Sequence, residues 1–275
     1  MKKLKAHRLF YVLTLLGTLL LLLTGCGKSN KSSLQQIKER GTLRVGMVSA
    51  NPPYESQVQK NGKTQMQGAD VLLVKKIAKN LGVKYELKTM DLDGLLPALQ
   101  AKKVDMLVTS MAPTPERQKA AKFTDTYYKS TNVLVVPKAK LAQYKNANNF
   151  KHATIAVVNN SSQQPMIHKV FPKATTKDLS KVTDLALAVN NGKADAFCID
   201  KPTATILLKK NPELTMTSWR HNDGSKGAAI ALPKGTSDDL VNRLDDLVNR
   251  LNEVIHQNKA QYSKWVDQYA QKGTN

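Results

Sequence analysis

The sequence predicts an α/β protein made of two lobes, each with a parallel-type sheet. Short apolar strands alternate with amphipathic helices along most of the chain, which is typical of sheets whose strands are connected by helices. Residues 98–108 and 188–198 repeat the same pattern of a helix end, a Lys-x-Asp turn and an apolar strand. Ligands bind beyond the carboxyl ends of strands in open α/β sheets, so two facing lobes would form a binding cleft.

The first part of the chain supplies the clearest elements. Asp70 is placed to cap a helix whose apolar residues share one face, and Pro115 opens another helix because proline is favoured in a first turn. The helices are predicted at residues 71–81 and 93–102 and from residue 115 onward. The strands are predicted at residues 42–49, 83–89 and 104–110.

The second part repeats this alternation and ends in helices. Its strands are predicted at residues 154–158, 194–199, 214–219 and 228–232. Its connecting helices are predicted at residues 163–171, 182–191 and 202–210. Two C-terminal helices are predicted at residues 238–257 and 259–271.

The N-terminus has the pattern of a secretory signal. Four basic residues precede the apolar run 9–23, which is shorter than the roughly 20 residues of a membrane span. The run ends in Leu-Thr-Gly-Cys26, which resembles a bacterial lipobox. We therefore expect a signal peptide at 1–25, a lipidated Cys26 and a flexible tether at 26–33. The alternative is an ordinary signal with a chance cysteine.

Charge and composition exclude several classes of protein. The net charge is +21, but the lysines are scattered without an arginine cluster, so we expect no nucleic-acid partner. Such a surface suits an anionic membrane or cell wall.

The second cysteine, Cys198, lies in an apolar run and is predicted to be a core residue. The histidines have no metal-ligand spacing, and we predict no metal or cofactor.

Seven stretches of the chain together have a recognisable order and spacing: residues 41–46, 51–54, 68–70, 93–99, 103–117, 123–128 and 192–200. In this order they resemble one bacterial family, the solute-binding proteins of family 3, which bind polar amino acids for ATP-binding-cassette importers. The resemblance implies a periplasmic-binding-protein-like fold, with two α/β lobes joined by two hinge strands and the ligand in the cleft. It places lobe 1 at 34–129 plus 226–275 and lobe 2 at 130–225.

Arg117 and Asp200 are the candidate clamp for an amino acid. A guanidinium can hold a carboxylate with two parallel hydrogen bonds, and Arg117 matches the carboxylate-binding arginine of the family. Asp200 matches its ammonium-binding aspartate. The structural alternative for Arg117 is an exposed arginine in a helix's first turn. The alternative for Asp200 is a residue near a helix start without a role in binding. Around Arg117, Ser110 could offer its hydroxyl, and Thr109 and Ala112 could offer backbone groups.

Other candidates come from both halves of the chain. Ser161 and Ser162 precede a helix and match the family's hydroxyl turn that meets the ligand carboxylate, where free N–H groups favour an anion; a plain N-cap is the alternative. Asn51 and Leu92 stand where the family often has aromatic rings around the ligand, and Tyr54 keeps an aromatic ring in the same loop.

These features predict a binding protein rather than an enzyme. The first strand ends in Val-Ser-Ala, without an unpaired acid for a cationic head group, although Glu55 is close. A neutral, polar or sulfur-containing amino acid is therefore favoured. We expect a monomer on the extracytoplasmic face of a Gram-positive cell membrane that delivers its ligand to a membrane permease. The alternatives are a surface adhesin or a dehydratase or lyase, for which converging catalytic carboxylates are not evident.

Overall fold

Two sheets flanked by helices form the protein in a computed structural model that describes residues 33–234 and 246–272. The predicted signal peptide, Cys26 and almost all of the tether lie outside these residues. In the described ranges, no helix combines the length and the apolar character needed to cross a bilayer. The two-lobed α/β fold predicted from the sequence is confirmed.

The first lobe begins with an α/β alternation that is interrupted by a small three-stranded sheet. Its elements up to the crossing are α1 (Ser33–Arg40), β1 (Thr42–Val48), β2 (Ala50–Asn51), β3 (Glu55–Lys60), β4 (Lys63–Gln67), α2 (Ala69–Leu81), β5 (Lys84–Met90), α3 (Leu92–Gln100), β6 (Met106–Leu107), α4 (Pro115–Ala120) and β7 (Ala121–Tyr128).

The chain then builds the second lobe and returns to the first. The second-lobe elements are β8 (Asn132–Pro137), β9 (Thr154–Val158), α5 (Gln163–Val170), β10 (Thr175–Leu179), α6 (Thr183–Asn190), β11 (Ala196–Asp200), α7 (Lys201–Lys210) and β12 (Leu214–His221). Two short 3-10 helices, Lys138–Tyr144 and Ala147–Phe150, follow β8. The returning elements are β13 (Ala228–Pro233) and α8 (Asp246–Lys272).

Each lobe is centred on a sheet of five described strands. The strand orders are β5-β1-β6-β13-β7 and β10-β9-β11-β8-β12. In the first sheet β1 pairs in parallel with β5 and β6, and in the second β9 pairs in parallel with β10 and β11. The carboxyl ends of three adjacent parallel strands therefore form one rim on each lobe.

The chain crosses between the sheets at residues 129–131 and 222–227. The predicted lobe boundaries fall in or next to these segments, and their placement stays a prediction. The crossings touch each other at Gly227, whose φ is +122°. A Cβ atom there would lie 2.3 Å from the carbonyl oxygen of Tyr128, so this close approach requires glycine.

Separate apolar cores hold the two sheets. In the first lobe, α2 and α8 bury Ile77, Leu251 and Val266 against β1. In the second lobe, helices cover both faces of the sheet, and Cys198 is buried in one of these layers. Burial raises the pKa of the Cys198 thiol, so it is a neutral core residue, as predicted.

Some predicted elements differ from the structure. The strand predicted at 104–110 is reduced to Met106–Leu107, and Ser110, at the end of the predicted range, has a φ of +52°, which is not a strand conformation. The two predicted C-terminal helices form one helix, Asp246–Lys272, in the part described. Asp70 does not cap α2: Gly68 occupies that position, and the Asp70 carboxylate accepts a hydrogen bond from the Tyr262 hydroxyl instead.

Candidate ligand-binding cleft

A cavity lies between the two rims of strand ends. On the first lobe it is lined by residues that follow β1, β5 and β6, and on the second by residues that follow β9, β10 and β11. It contains nine of the ten predicted ligand-binding residues: Asn51, Leu92, Thr109, Ser110, Ala112, Arg117, Ser161, Ser162 and Asp200. Tyr54, the tenth, does not line the cavity.

Arg117 reaches from the first lobe towards the second. Thr114 caps the short helix α4, and its hydroxyl accepts a hydrogen bond from the Arg117 backbone N–H at 3.3 Å. The guanidinium donates through Nη1 to the carbonyl oxygen of Ala112 at 2.9 Å and through Nη2 to that of Asn160 at 2.8 Å. Burial lowers the pKa of Arg117, but a guanidinium remains charged at any working pH.

Asp200 comes from the second lobe, where it ends β11 and caps α7. Its Oδ1 accepts hydrogen bonds from the Thr203 backbone N–H at 3.1 Å and from the Tyr54 hydroxyl at 2.8 Å. Burial raises the pKa of Asp200, and both of these hydrogen bonds oppose the rise because they favour the carboxylate. The two hydrogen bonds therefore favour the charged form of a carboxyl group that lines the cavity.

Tyr54 lies behind Asp200, in the loop between β2 and β3. Its side chain is fully buried, and burial raises its pKa well above the ordinary value, so the hydroxyl is a permanent donor. Gly68 packs against the loop so closely that a Cβ atom would lie 2.1 Å from the Tyr54 carbonyl oxygen. Tyr54 thus supports Asp200 from the opposite lobe.

The turn after β6 rests on two buried carboxyl groups. The Thr109 hydroxyl donates to Glu55 Oε1, and the Ser110 backbone N–H donates to the Tyr127 hydroxyl at 2.9 Å. Tyr127 and Tyr262 in turn hydrogen-bond to Asp70. Glu55, the acid close to the end of the first strand, therefore lies beneath this turn and not in the cavity lining.

The serines of the second lobe have different environments. Ser162 donates through its hydroxyl to Asp223 at 2.8 Å, which ties the start of α5 to the second crossing segment. The Ser161 hydroxyl oxygen is buried and has no partner among the residues described. Because a buried hydroxyl without a hydrogen bond is costly, Ser161 is suited to donate to a ligand.

Two charged lining residues were not predicted. Asp91 follows β5, and Lys181 follows β10; both line the cavity. Asp91 corrects the expectation that the cleft has no acid for a cationic head group, because its carboxylate lies in the cavity lining. Asp91 directly follows a strand that was predicted, so its position in the cleft could have been inferred from the sequence. The position of Lys181 could not, because β10, the strand before it, was not predicted.

A cleft between two lobes is a common site of ligand binding, and comparison with protein families identifies the family of this chain. Residues 43–272 match the bacterial extracellular solute-binding proteins, family 3. The chain belongs to this family. Because the match covers most of the chain, both lobes of this family 3 protein are included.

Relatives of this family 3 protein carry amino-acid names. It is 31% identical to the arginine-binding extracellular protein ArtP of Bacillus subtilis, over 70% of this chain and 72% of that protein. It is 30% identical to the L-cystine-binding protein TcyJ of Escherichia coli K12, over 77% and 78%. A Streptococcus pneumoniae amino acid ABC transporter substrate-binding protein, solved with L-arginine, has a TM-score of 0.80 at 29% identity and covers 88% of this chain and 98% of its own. The chain is thus a member of the amino-acid ABC transporter substrate-binding proteins.

Proposed function

We propose that this protein is a lipid-anchored receptor that captures one amino acid by closing its lobes and delivers it to a membrane permease. The observation that carries the proposal is that Arg117 and Asp200, from different lobes, line the same cavity. A zwitterion has one carboxylate and one ammonium, and these two side chains complement both. The ligand favoured from the sequence is a neutral, polar or sulfur-containing amino acid.

The hydrogen bonds of Arg117 suggest which protein group a ligand carboxylate would replace. The bond from Nη2 to the Asn160 carbonyl is formed with a neutral acceptor. A ligand carboxylate is a stronger acceptor for the guanidinium than this neutral carbonyl, because it adds the attraction of a full negative charge and can accept two parallel hydrogen bonds. A carboxylate between Arg117 and the Ser161 hydroxyl would therefore replace the Asn160 carbonyl and join the two lobes.

The anchored, extracytoplasmic and monomeric state of the protein belongs to the same proposal. It rests on the lipobox-like sequence at Cys26 and on the extracellular character of the family. Lipidation would keep the binding lobes close to the permease. Adhesion to an anionic polymer, the alternative suggested by the net charge of +21, would not require a cavity that combines Arg117 and Asp200.

The proposal is tested by replacing Arg117. We expect Arg117→Ala to weaken amino-acid binding by about 100-fold, since a hydrogen-bonded charge contact in a cleft contributes on the order of 3 kcal/mol. Arg117→Lys should recover only part of the affinity, because an ammonium cannot form the two-pronged contact. Calorimetry with each of the common amino acids and L-cystine measures both effects.

Arg220→Ala is the matched control, because Arg220 is exposed and bonds only to carbonyl groups of its own strand in the described structure. It should bind like the unchanged protein. Equal affinities of Arg117→Ala and the unchanged protein would contradict the assignment of the clamp.

A further inference from the structure

The far end of the cleft carries two charges of opposite sign. Asp91 directly follows β5, the edge strand of the first sheet, and Lys181 follows β10, the edge strand of the second. Both line the same cavity as Arg117 and Asp200. Each lobe thus contributes one charged side chain at the same edge of the cleft.

Neither charge is used to hold the fold together. Asp91 occupies the N-cap position of α3, but its side chain makes no capping hydrogen bond. Within residues 33–234 and 246–272, the carboxylate of Asp91 and the ammonium of Lys181 have no ion-pair or hydrogen-bond partner. Both side chains are exposed to solvent, so they are available to a ligand.

The sheet topology sets the distance of these charges from the clamp. In the first sheet, β5 is two strands away from β6, the strand that precedes α4 and Arg117. In the second sheet, β10 is two strands away from β11, which carries Asp200. Neighbouring strands are about 4.8 Å apart, so the two ends of the cleft are separated by roughly 10 Å. A ligand held by Arg117 and Asp200 would meet Asp91 and Lys181 with the end of its side chain.

The pair of charges selects among ligand side chains. A side chain ending in a cation would be attracted by Asp91 but repelled by Lys181. A side chain ending in an anion would be attracted by Lys181 but repelled by Asp91. Like charges brought together in a cleft oppose binding. A side chain that itself ends in both an ammonium and a carboxylate satisfies both residues.

Resting on the proposed function, we propose that Asp91 and Lys181 form a second zwitterion subsite and that the ligand is a bis-amino acid. The Cα atoms of two disulfide-linked cysteines are typically about 5.5–6 Å apart, and their charged groups extend beyond them. L-cystine therefore has a length that suits the two subsites, and L-cystathionine offers the same two ends without a disulfide.

The test compares probes that share the first zwitterion and differ at the far end. The detergent-solubilised full chain is titrated with L-cystine, L-methionine, L-arginine and L-glutamate. The unchanged protein should bind L-cystine at least about tenfold more tightly than L-methionine, which lacks the second zwitterion. L-cystathionine should behave like L-cystine.

The variants are Asp91→Asn and Lys181→Gln. Each should weaken L-cystine binding by about fivefold, the upper range for a solvent-exposed ion pair, and should weaken L-methionine binding by less, because methionine has no second zwitterion. Lys181→Gln should also improve L-arginine binding, and Asp91→Asn should improve L-glutamate binding. Glu86→Gln and Lys173→Gln, at exposed positions outside the cavity, are the matched controls.

The outcomes separate this inference from the proposed function. L-cystine binding that is no tighter than L-methionine binding, or that neither variant weakens, overturns the second subsite while Arg117-dependent amino-acid binding still stands. If no amino acid binds in an Arg117-dependent manner, the proposed function fails and the subsite fails with it.

Discussion

Tyr54 has a clear role at the residue scale, although it lies outside the cavity lining. Its hydroxyl donates to Asp200 Oδ1 at 2.8 Å from the opposite lobe, and its ring packs edge-on against Tyr128 with centroids 5.9 Å apart. The ring therefore fixes the hydroxyl, and the hydroxyl fixes the carboxylate. In the proposed function, Tyr54 would be a positioning residue, because it holds the Asp200 carboxylate that would bind the ligand ammonium.

Removing this hydroxyl should affect ligand binding through Asp200. We expect Tyr54→Phe to weaken amino-acid binding by about tenfold, because a hydrogen bond to a charged group contributes about 1.5–3 kcal/mol and only part of it is lost when Asp200 moves. The loss should be smaller for a des-amino analogue of the ligand, which has no ammonium. Calorimetry with the two ligands gives both values.

The exposed Tyr85 provides the control, since Tyr85→Phe removes a hydroxyl outside the cavity. Equal losses for the amino acid and its des-amino analogue in Tyr54→Phe would indicate a general structural defect and would contradict a specific role through Asp200.

At the scale of elements, β3 and α2 bring two carboxyl groups together beneath the ligand site. Glu55 and Asp70 are both fully buried. Glu55 Oε2 and Asp70 Oδ2 find no donor among the described residues, yet a proton on Glu55 allows the two carboxyl groups to hydrogen-bond to each other. Burial and the neighbouring Asp70 charge raise the pKa of Glu55 well above its ordinary value.

This proton makes stability depend on pH. In the unfolded chain Glu55 loses its proton near the ordinary glutamate pKa of about 4.3, whereas the folded protein keeps it at higher pH. Stability should therefore fall as pH rises from this value to the raised folded pKa, by up to about 1.4 kcal/mol per pH unit. Glu55→Gln imitates the protonated carboxyl, so the variant should have a smaller slope, to which Asp70 and Asp200 still contribute through their raised pKa values, and should keep ligand binding.

Urea unfolding at a series of pH values measures the slope. Glu86→Gln replaces an exposed glutamate whose partner is Lys88, and it should keep the slope of the unchanged protein. A slope that is the same in Glu55→Gln and in the unchanged protein would show that Glu55 does not hold the proton.

The sequence predicted some elements because their signals are local. The helix over Ala69–Leu81 and the strand over Thr42–Val48 follow from hydrophobic periodicity within one segment. The hairpin of β3 and β4 was missed although Asn61-Gly62, with φ values of 51° and 70°, is a strong hairpin signal. Its strands are mostly polar, and periodicity alone does not detect such strands.

Part of the site was predictable from motifs and strand ends. Asp200 ends β11 and the serines follow β9, whereas Arg117 lies in α4 and was identified by its motif alone; all of them line one cavity. The carboxyl pair of Glu55 and Asp70 was not predicted, because it depends on a contact between two elements that local patterns do not encode. Buried pairs of this kind require tertiary structure.

At the scale of the whole molecule, the two lobes contact each other directly in the cleft. Arg117 bonds to the Asn160 carbonyl, and Tyr54 bonds to Asp200, so each hydrogen bond joins one lobe to the other. These two bonds can form only while the lobes are close together. A ligand shifts the balance between open and closed forms only by its preference for one of them.

The proposed capture by closure makes a measurable prediction. A zwitterion held by Arg117 on one lobe and Asp200 on the other contacts both lobes only when they are closed, so it should shift the population towards the closed form. Small-angle X-ray scattering should therefore show a smaller radius of gyration for the protein saturated with ligand than for the free protein. Arg117→Ala, at the same ligand concentration, should keep the larger radius because its carboxylate contact is missing. If calorimetry shows saturation while the radius of gyration of the unchanged protein does not change, the free lobes are already closed, and the ligand enters without a hinge movement.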